Sequence, residues 1–207
     1  MDAFWAKLAK IVAEKQYLRY FRSANLLNGI MANLLAFAGS NSSTSINLKL
    51  IRYTTSRIPD HTIQVLNMAN CPFPMYSEDY EREHGFSNSL IELKDDIQGA
   101  DGILISVNEH NSNPSAYFKN LIDWLSRLER NFIKEKKVLL LSTSPGKRGG
   151  KSALEISENI LVRFGADVVA TFSLPSFHTN FDAEKGILDQ TLHEEWNEAI
   201  NSLIAKL

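Results

Sequence analysis

The chain has 207 residues, 44% of them apolar and 22% charged, with a formal net charge of −2. That length suits one domain with a single large core, and the composition argues against disorder. The charge gives no global pull toward nucleic acid or an anionic membrane surface. A lone cysteine, Cys71, excludes an internal disulfide framework and fits a reducing cytoplasm, and no apolar run approaches the roughly 20 residues that cross a bilayer. The expectation is a soluble, cytoplasmic domain.

In chain order, residues 1–32 come first as an N-terminal extension, helical or poorly ordered. Phe4, Trp5, Leu8, Ile11 and Val12 recur at helical spacing, and Lys7, Lys10, Lys15, Arg19 and Arg22 give the segment a basic cast. An incidental extension, with Met31 as a second start, is the plainer reading; a membrane-surface or targeting helix is the sharper one. Asp2 and Glu14 speak against a transit peptide, and the broken apolar run against a signal peptide.

From residue 33 to 207 strands and helices alternate. Leu34–Ala38 is an apolar run, and Leu48, Ile51 and Thr55 continue one helical face. His61–Met68 is a second strand candidate, followed by the irregular Cys71–Tyr76, where two prolines remove donors and fix φ. Helix is expected near Ser87–Gln98, a strand covered on both faces at Gly102–Val107, and a strongly periodic helix over Ser115–Arg130. Val138–Leu141 is another covered strand, Ser152–Phe164 a helix, Val168–Phe172 a fifth strand, and Gln190–Leu207 a final helix.

Strict alternation with covered strands predicts an α/β fold: a flavodoxin-like five-stranded parallel sheet with helices on both faces. In such a sheet ligands sit at the carboxyl ends of the strands, around the switch point. Three loops share that rim: Gly39–Ser45, Asn108–Pro114 and Ser142–Gly150.

The first of these is a run of small polar residues between a strand and a helix. Gly39 permits a tight turn, the serines, Asn41 and Thr44 supply short donors, and the unpaired amides of the following helix favour an anion such as phosphate. One hydroxyl capping the helix is the plainer explanation, but the tract is longer than a cap requires. The third loop, Pro145–Ser152, nearly spells a Walker A sequence. Pro145 stands where its first glycine belongs, and no Walker B carboxylate is evident.

Three stretches taken together, GSNSSTSIN (Gly39–Asn47), SVNEHNSNPSAYFKNLIDWLSR (Ser106–Arg127) and STSPGKRGG (Ser142–Gly150), resemble the NADPH-dependent FMN reductase family. The resemblance runs from Asn33 to about Leu203. It implies FMN as cofactor, NADPH or NADH as hydride donor, and quinone, azo or free-flavin acceptors. It also implies a homodimer or homotetramer. Carried over by position, the phosphate turn comprises Gly39, Ser40, Ser42, Ser45, Ile46 and Asn47, with Ser42 where the family commonly has arginine. Asn108, Glu109, His110 and Asn111 become ring contacts, with Asn108 replacing the family's proline and His110 its tyrosine. Ser142, Thr143, Ser144 and Gly149 would border the ring's other side.

Each residue has a plainer role available. Glu109 can tie down backbone amides, His110 can bond its own loop, and Lys119, Asn120, Asp123 and Trp124 can anchor the third helix. Tyr76, with Pro74 and Met75, can cover a flavin, form a subunit contact or simply pack, and Lys147 and Arg148 can meet a nicotinamide phosphate or only solvent. No catalytic side chain and no metal ligand is expected, because hydride transfer between two cofactors needs positioning more than a protein acid or nucleophile. The contrasting classes are a flavodoxin-type carrier without its own nicotinamide site, and a P-loop hydrolase that depends on Lys151.

Overall fold

The structure, a computed structural model, describes residues 31–207. The helical spacing noted between Phe4 and Val12 lies outside the described residues. Five parallel strands form one sheet: β1 (Asn33–Ala38), β2 (Thr62–Leu66), β3 (Gly102–Val107), β4 (Lys137–Thr143) and β5 (Asp167–Leu174), in the spatial order β2-β1-β3-β4-β5. This is the flavodoxin-like order, and all five expected strands are present.

Alternation along the strands divides the core. Leu35, Phe37, Ile103, Ile105, Val138 and Leu140 point to one face, where α2 (Asn88–Gly99), α3 (Ala116–Leu128) and α4 (Lys151–Arg163) bury Leu93, Leu121 and Leu154 against them. Leu34, Ala36, Leu104, Leu139 and Leu141 point to the other, under α1 (Ile46–Ser56) and α5 (Gln190–Ile204), with Leu50, Ile51, Trp196 and Ile200. Residues one apart thus feed opposite layers, as the period of a strand demands. β3 is buried at every position, which is why it reads as an unbroken apolar run.

The chain winds away from β1 in two directions. β1 pairs with β2 on one side and β3 on the other, so the connections after β1 and β3 diverge and leave a crevice at their carboxyl ends. Helix limits follow their caps: Ser45, Ser87 and Ser115 accept from the amides of Leu48, Leu90 and Phe118, so α1, α2 and α3 each begin one residue later. The helix expected through Arg130 ends at Leu128, because Glu129 is already extended (φ −150°, ψ 111°).

The alternation rule does not reach four short pieces. These are the helices Glu78–His84 and Phe177–Asn180 and the two-residue hairpins Glu109–His110/Asn113–Pro114 and Phe181–Asp182/Gly186–Ile187. None is long enough to establish a period. No described helix is long and apolar enough to cross a membrane.

Candidate functional site

The base of the site is a buried amide. Asn47, 2% exposed in the first turn of α1, accepts from Ser106 Oγ at 2.7 Å and from the Thr143 amide at 3.0 Å, and it donates to the Thr143 carbonyl at 3.1 Å. One side chain therefore ties α1 to the ends of β3 and β4. Its amide is committed inward, so Asn47 acts as a latch beneath the turn, and anything this position offers a ligand comes from its backbone N–H.

Gly39 continues the join. Its amide donates to the Ser106 carbonyl at 2.9 Å, and its carbonyl accepts from Ser115 Oγ at 3.0 Å, the same hydroxyl oxygen that caps α3. A Cβ at Gly39 would lie 2.4 Å from Phe118 Cδ2. Glycine is needed here for the close approach of a helix ring; its φ is not left-handed.

Above this base the polar tract divides its work. Ser45 is the cap, accepting from the Leu48 amide at 3.2 Å, as the plainer reading proposed. Ser40 Oγ accepts from the Ser42 amide, and Ser42 Oγ from the Thr44 amide, each at 3.3 Å. These are short local turns that leave Asn41–Thr44 exposed. The first amides of α1, those of Ile46 and Asn47, belong to the group that a helix cannot satisfy internally, and no acidic residue stands in its first turn.

In the second loop Glu109 turns away from the crevice. Its Oε2 accepts from the amide of Ala153, in the first turn of α4, at 3.2 Å. A carboxylate already sits where a Walker-type phosphate would sit, which removes the structural basis for a P-loop hydrolase. Asn108 Nδ2 lies 3.4 Å from His110 Nε2, and Asn108 Oδ1 is buried with no partner among the described residues. Asn111 and Ser112 form the hairpin turn with φ of 51° and 60°, the left-handed region that a two-residue turn of this kind requires.

The third loop serves mainly as a brace. Ser142 Oγ donates to the Gly149 carbonyl at 2.9 Å and Thr143 Oγ1 to the Leu174 carbonyl at 2.8 Å, both within the fold. Gly149 is buried at φ 62°, and a Cβ there would press within 2.9 Å of the Leu174 and Pro175 backbone. Ser144 is half-exposed and bonds its own loop. The side chains of Ser142 and Thr143 are thus directed away from the crevice where ring contacts were expected. Lys147, Arg148 and Lys151 border a different feature, a broad groove of about 800 Å³ between β5 and α5 that also carries Glu195 and Glu198.

The proline-rich segment supplies the opposite wall. Asn120 Nδ2 and Trp124 Nε1 both donate to the Pro74 carbonyl, at 2.9 and 2.8 Å, and the Tyr76 amide donates to Asn120 Oδ1 at 2.8 Å. Tyr117 OH donates to the Cys71 carbonyl at 2.8 Å, and its burial raises the phenol well above its ordinary range. Tyr76 itself leaves the crevice: its OH donates to Glu81, which also takes a bidentate contact from Arg127 at 2.9 and 3.2 Å.

These parts enclose a cavity of about 400 Å³. Ser40, Asn41 and Ser42 line one end, Asn108 and His110 an edge, the start of α3 the floor, and Phe73 and Met75 the far side. Among the described residues, no acidic side chain borders it. Unlike the larger groove, this cavity lies at the switch point and joins a polar end to an apolar wall. Phe73, Ala116 and Tyr117 were not singled out from sequence, whereas Asn41 was named there only as a short donor of the turn. Asn120, expected to anchor its helix, both lines the cavity and holds the proline segment.

The architecture is that of a flavodoxin-like domain with an anion-ready turn at its switch point. The profile of the NADPH-dependent FMN reductase family matches residues 32–179, and the chain belongs to that family. A quinone reductase of Escherichia coli is 36% identical over 96 residues, a match that takes in 46% of this chain and about half (51%) of that protein. An NADPH:quinone oxidoreductase of Arabidopsis thaliana is 27% identical over 182 residues, covering 84% of this chain and 91% of the relative. The fold is shared with the flavoenzyme NAD(P)H:(acceptor) oxidoreductase FerB of Paracoccus denitrificans. That pair has a TM-score of 0.69 and 23% identity over 84% of this chain and 96% of FerB.

Proposed function

We propose that the chain is an NAD(P)H-dependent flavoprotein oxidoreductase that holds FMN in the 400 Å³ cavity and reduces a small-molecule acceptor of the quinone, azo or free-flavin type. The observation that carries this reading is the polarity of the cavity, with the small polar residues Ser40, Asn41 and Ser42 at one end and Phe73 and Met75 across from the start of α3. The residues fit the cofactor. The volume lies within the usual range for small-molecule sites, and the orphaned Asn108 Oδ1 is an acceptor that a ring N–H would satisfy.

When bound, FMN would supply the two-electron exchange between NADPH or NADH and the acceptor. Ser40 and Ser42, with the first amides of α1, hold the phosphate by neutral hydrogen bonds and a helix dipole, since Ser42 replaces a charged contact. Asn108 and His110 would help to position the ring, and Phe73 and Met75 would supply apolar contact that limits water there. Ser142, Thr143 and Gly149 act from behind, by fixing the loop in which Ser144 stands. The proposal extends to a cytoplasmic homodimer or homotetramer, on the strength of the family resemblance.

Purified protein loaded with FMN and given NADPH and a one-ring quinone tests the reading. Yellow protein with steady NADPH oxidation is the expected result. Bound FMN without nicotinamide consumption would point to a carrier, and failure to take up FMN at micromolar concentration would overturn the proposal.

A further inference from the structure

Phe73 stands between two cavities. In front lies the candidate flavin cavity of about 400 Å³; behind lies a smaller one of about 80 Å³, walled by Pro74, Tyr80, Leu90 and Trp124. Both have Phe73 in their lining. The rear space is bounded mainly by rings and aliphatic carbon, the kind of void that gains little from water. Phe73 is only half-buried, and its nearest described aromatic neighbour in the core, Tyr117, lies at a loose 6.5 Å between ring centroids.

The backbone on either side of Phe73 cannot follow a ligand easily. Behind it, the Cys71 carbonyl is held by Tyr117; ahead of it, the Pro74 carbonyl is held by both Asn120 and Trp124. Pro72 and Pro74 fix φ at both neighbouring positions. With the chain pinned and a void behind the ring, the remaining freedom is rotation about the side-chain torsions, which carries the ring between staggered positions.

We propose that Phe73 is a specificity-determining partition: its ring narrows the acceptor side of the site when it stands forward, and admits wider planar acceptors when it retracts into the rear cavity. The proposal rests on the flavin-reductase reading for its acceptor, but the motion belongs to the protein alone. It names the substrate class as planar, apolar acceptors whose ring count is limited by the position of Phe73.

Two variants probe it from opposite sides. Phe73→Leu shortens the partition, and Leu90→Phe fills the rear cavity from its far wall. The ratio of kcat/KM for a fused two-ring quinone to that for a one-ring quinone is expected to rise about tenfold in Phe73→Leu and to fall about tenfold in Leu90→Phe. A ratio unmoved by Phe73→Leu overturns the proposal, whatever Leu90→Phe does. A second readout needs neither flavin nor turnover. Apoprotein carrying a fluorinated phenylalanine at position 73 is expected to give two exchanging fluorine resonances, merging to one in Leu90→Phe. A single resonance in the otherwise unaltered protein overturns the partition, even where FMN binds and quinone is reduced. Two resonances in a protein that refuses FMN would sustain the motion and sink the flavin reading instead.

Discussion

The loops that follow β1 and β2 leave the same end of the sheet and face the same cavity, yet they are held in opposite ways. The serine turn satisfies itself. Its amides bond its own hydroxyls, its base is latched from below by Asn47, and its tip stays exposed. The proline segment is held from outside. Pro72 and Pro74 have no N–H to give, and its carbonyls are taken by Tyr117, Asn120 and Trp124, which lie three and four apart on α3. The contrast teaches how the site divides its labour. A turn rich in short donors can rearrange around an anion, whereas an apolar wall keeps its shape only if something else fixes its backbone.

The largest effect is expected at the latch. Asn47→Ala would strand the Ser106 hydroxyl and both backbone groups of Thr143 in the interior, at a cost of about 3 kcal/mol. Denaturant unfolding should register that loss together with at least tenfold weaker FMN binding. Unchanged stability would mean that the serine turn is positioned by something other than Asn47. The clamp on the other loop is doubled, so its loss should be milder. Trp124→Phe keeps the edge contact with Tyr76, at 5.1 Å between ring centroids, and removes one of two donors to Pro74. A loss of about 1 kcal/mol is expected, with a raised KM for quinone while FMN affinity holds. Equal losses of quinone and FMN binding would show that the two walls are not independent.

The hairpin between the loops offers a change in the opposite direction. Ser112 sits at φ 60°, where a side chain costs energy that glycine does not, so Ser112→Gly should stabilise the protein by about 1 kcal/mol. An unchanged or lowered melting temperature would show that the serine side chain repays its strain. The smallest effect concerns the tie behind the proline segment. Arg127, and then Tyr76, hold Glu81 below its ordinary carboxylate value, against some desolvation. A depressed folded value gives stability that is present above the unfolded pKa and lost as pH falls through the folded one. Glu81→Gln should therefore lower stability slightly at neutral pH and make no difference in acid. A deficit that persists in acid would assign the tie to packing.

Much of this could be read from the residues. Strands β3 and β4 stood out as covered apolar runs, and the alternation of five strand candidates with helices gave the sheet order and the shared rim. The divided role of the serine tract was also within reach, since Ser45 had a capping position. The proline segment was harder. Its two prolines announced irregular backbone, but nothing local tells which distant helix will satisfy its carbonyls. Asn47 did carry a signal. It falls on the buried face of α1 with Leu50, Ile51 and Thr54, and a polar side chain on such a face must find partners inside. Ser142 and Thr143 end a covered strand, where a hydroxyl turns inward as readily as toward a ligand. Only the register of β4 against β5 decides which.

The division between a phosphate end and a ring wall is tested most directly by titrating the apoprotein with FMN and with riboflavin, which share a ring and differ in the phosphate. The serine turn predicts that FMN binds at least tenfold more tightly, and that Ser40→Ala narrows the gap. Equal affinity for the two flavins, or no binding of either, would contradict it.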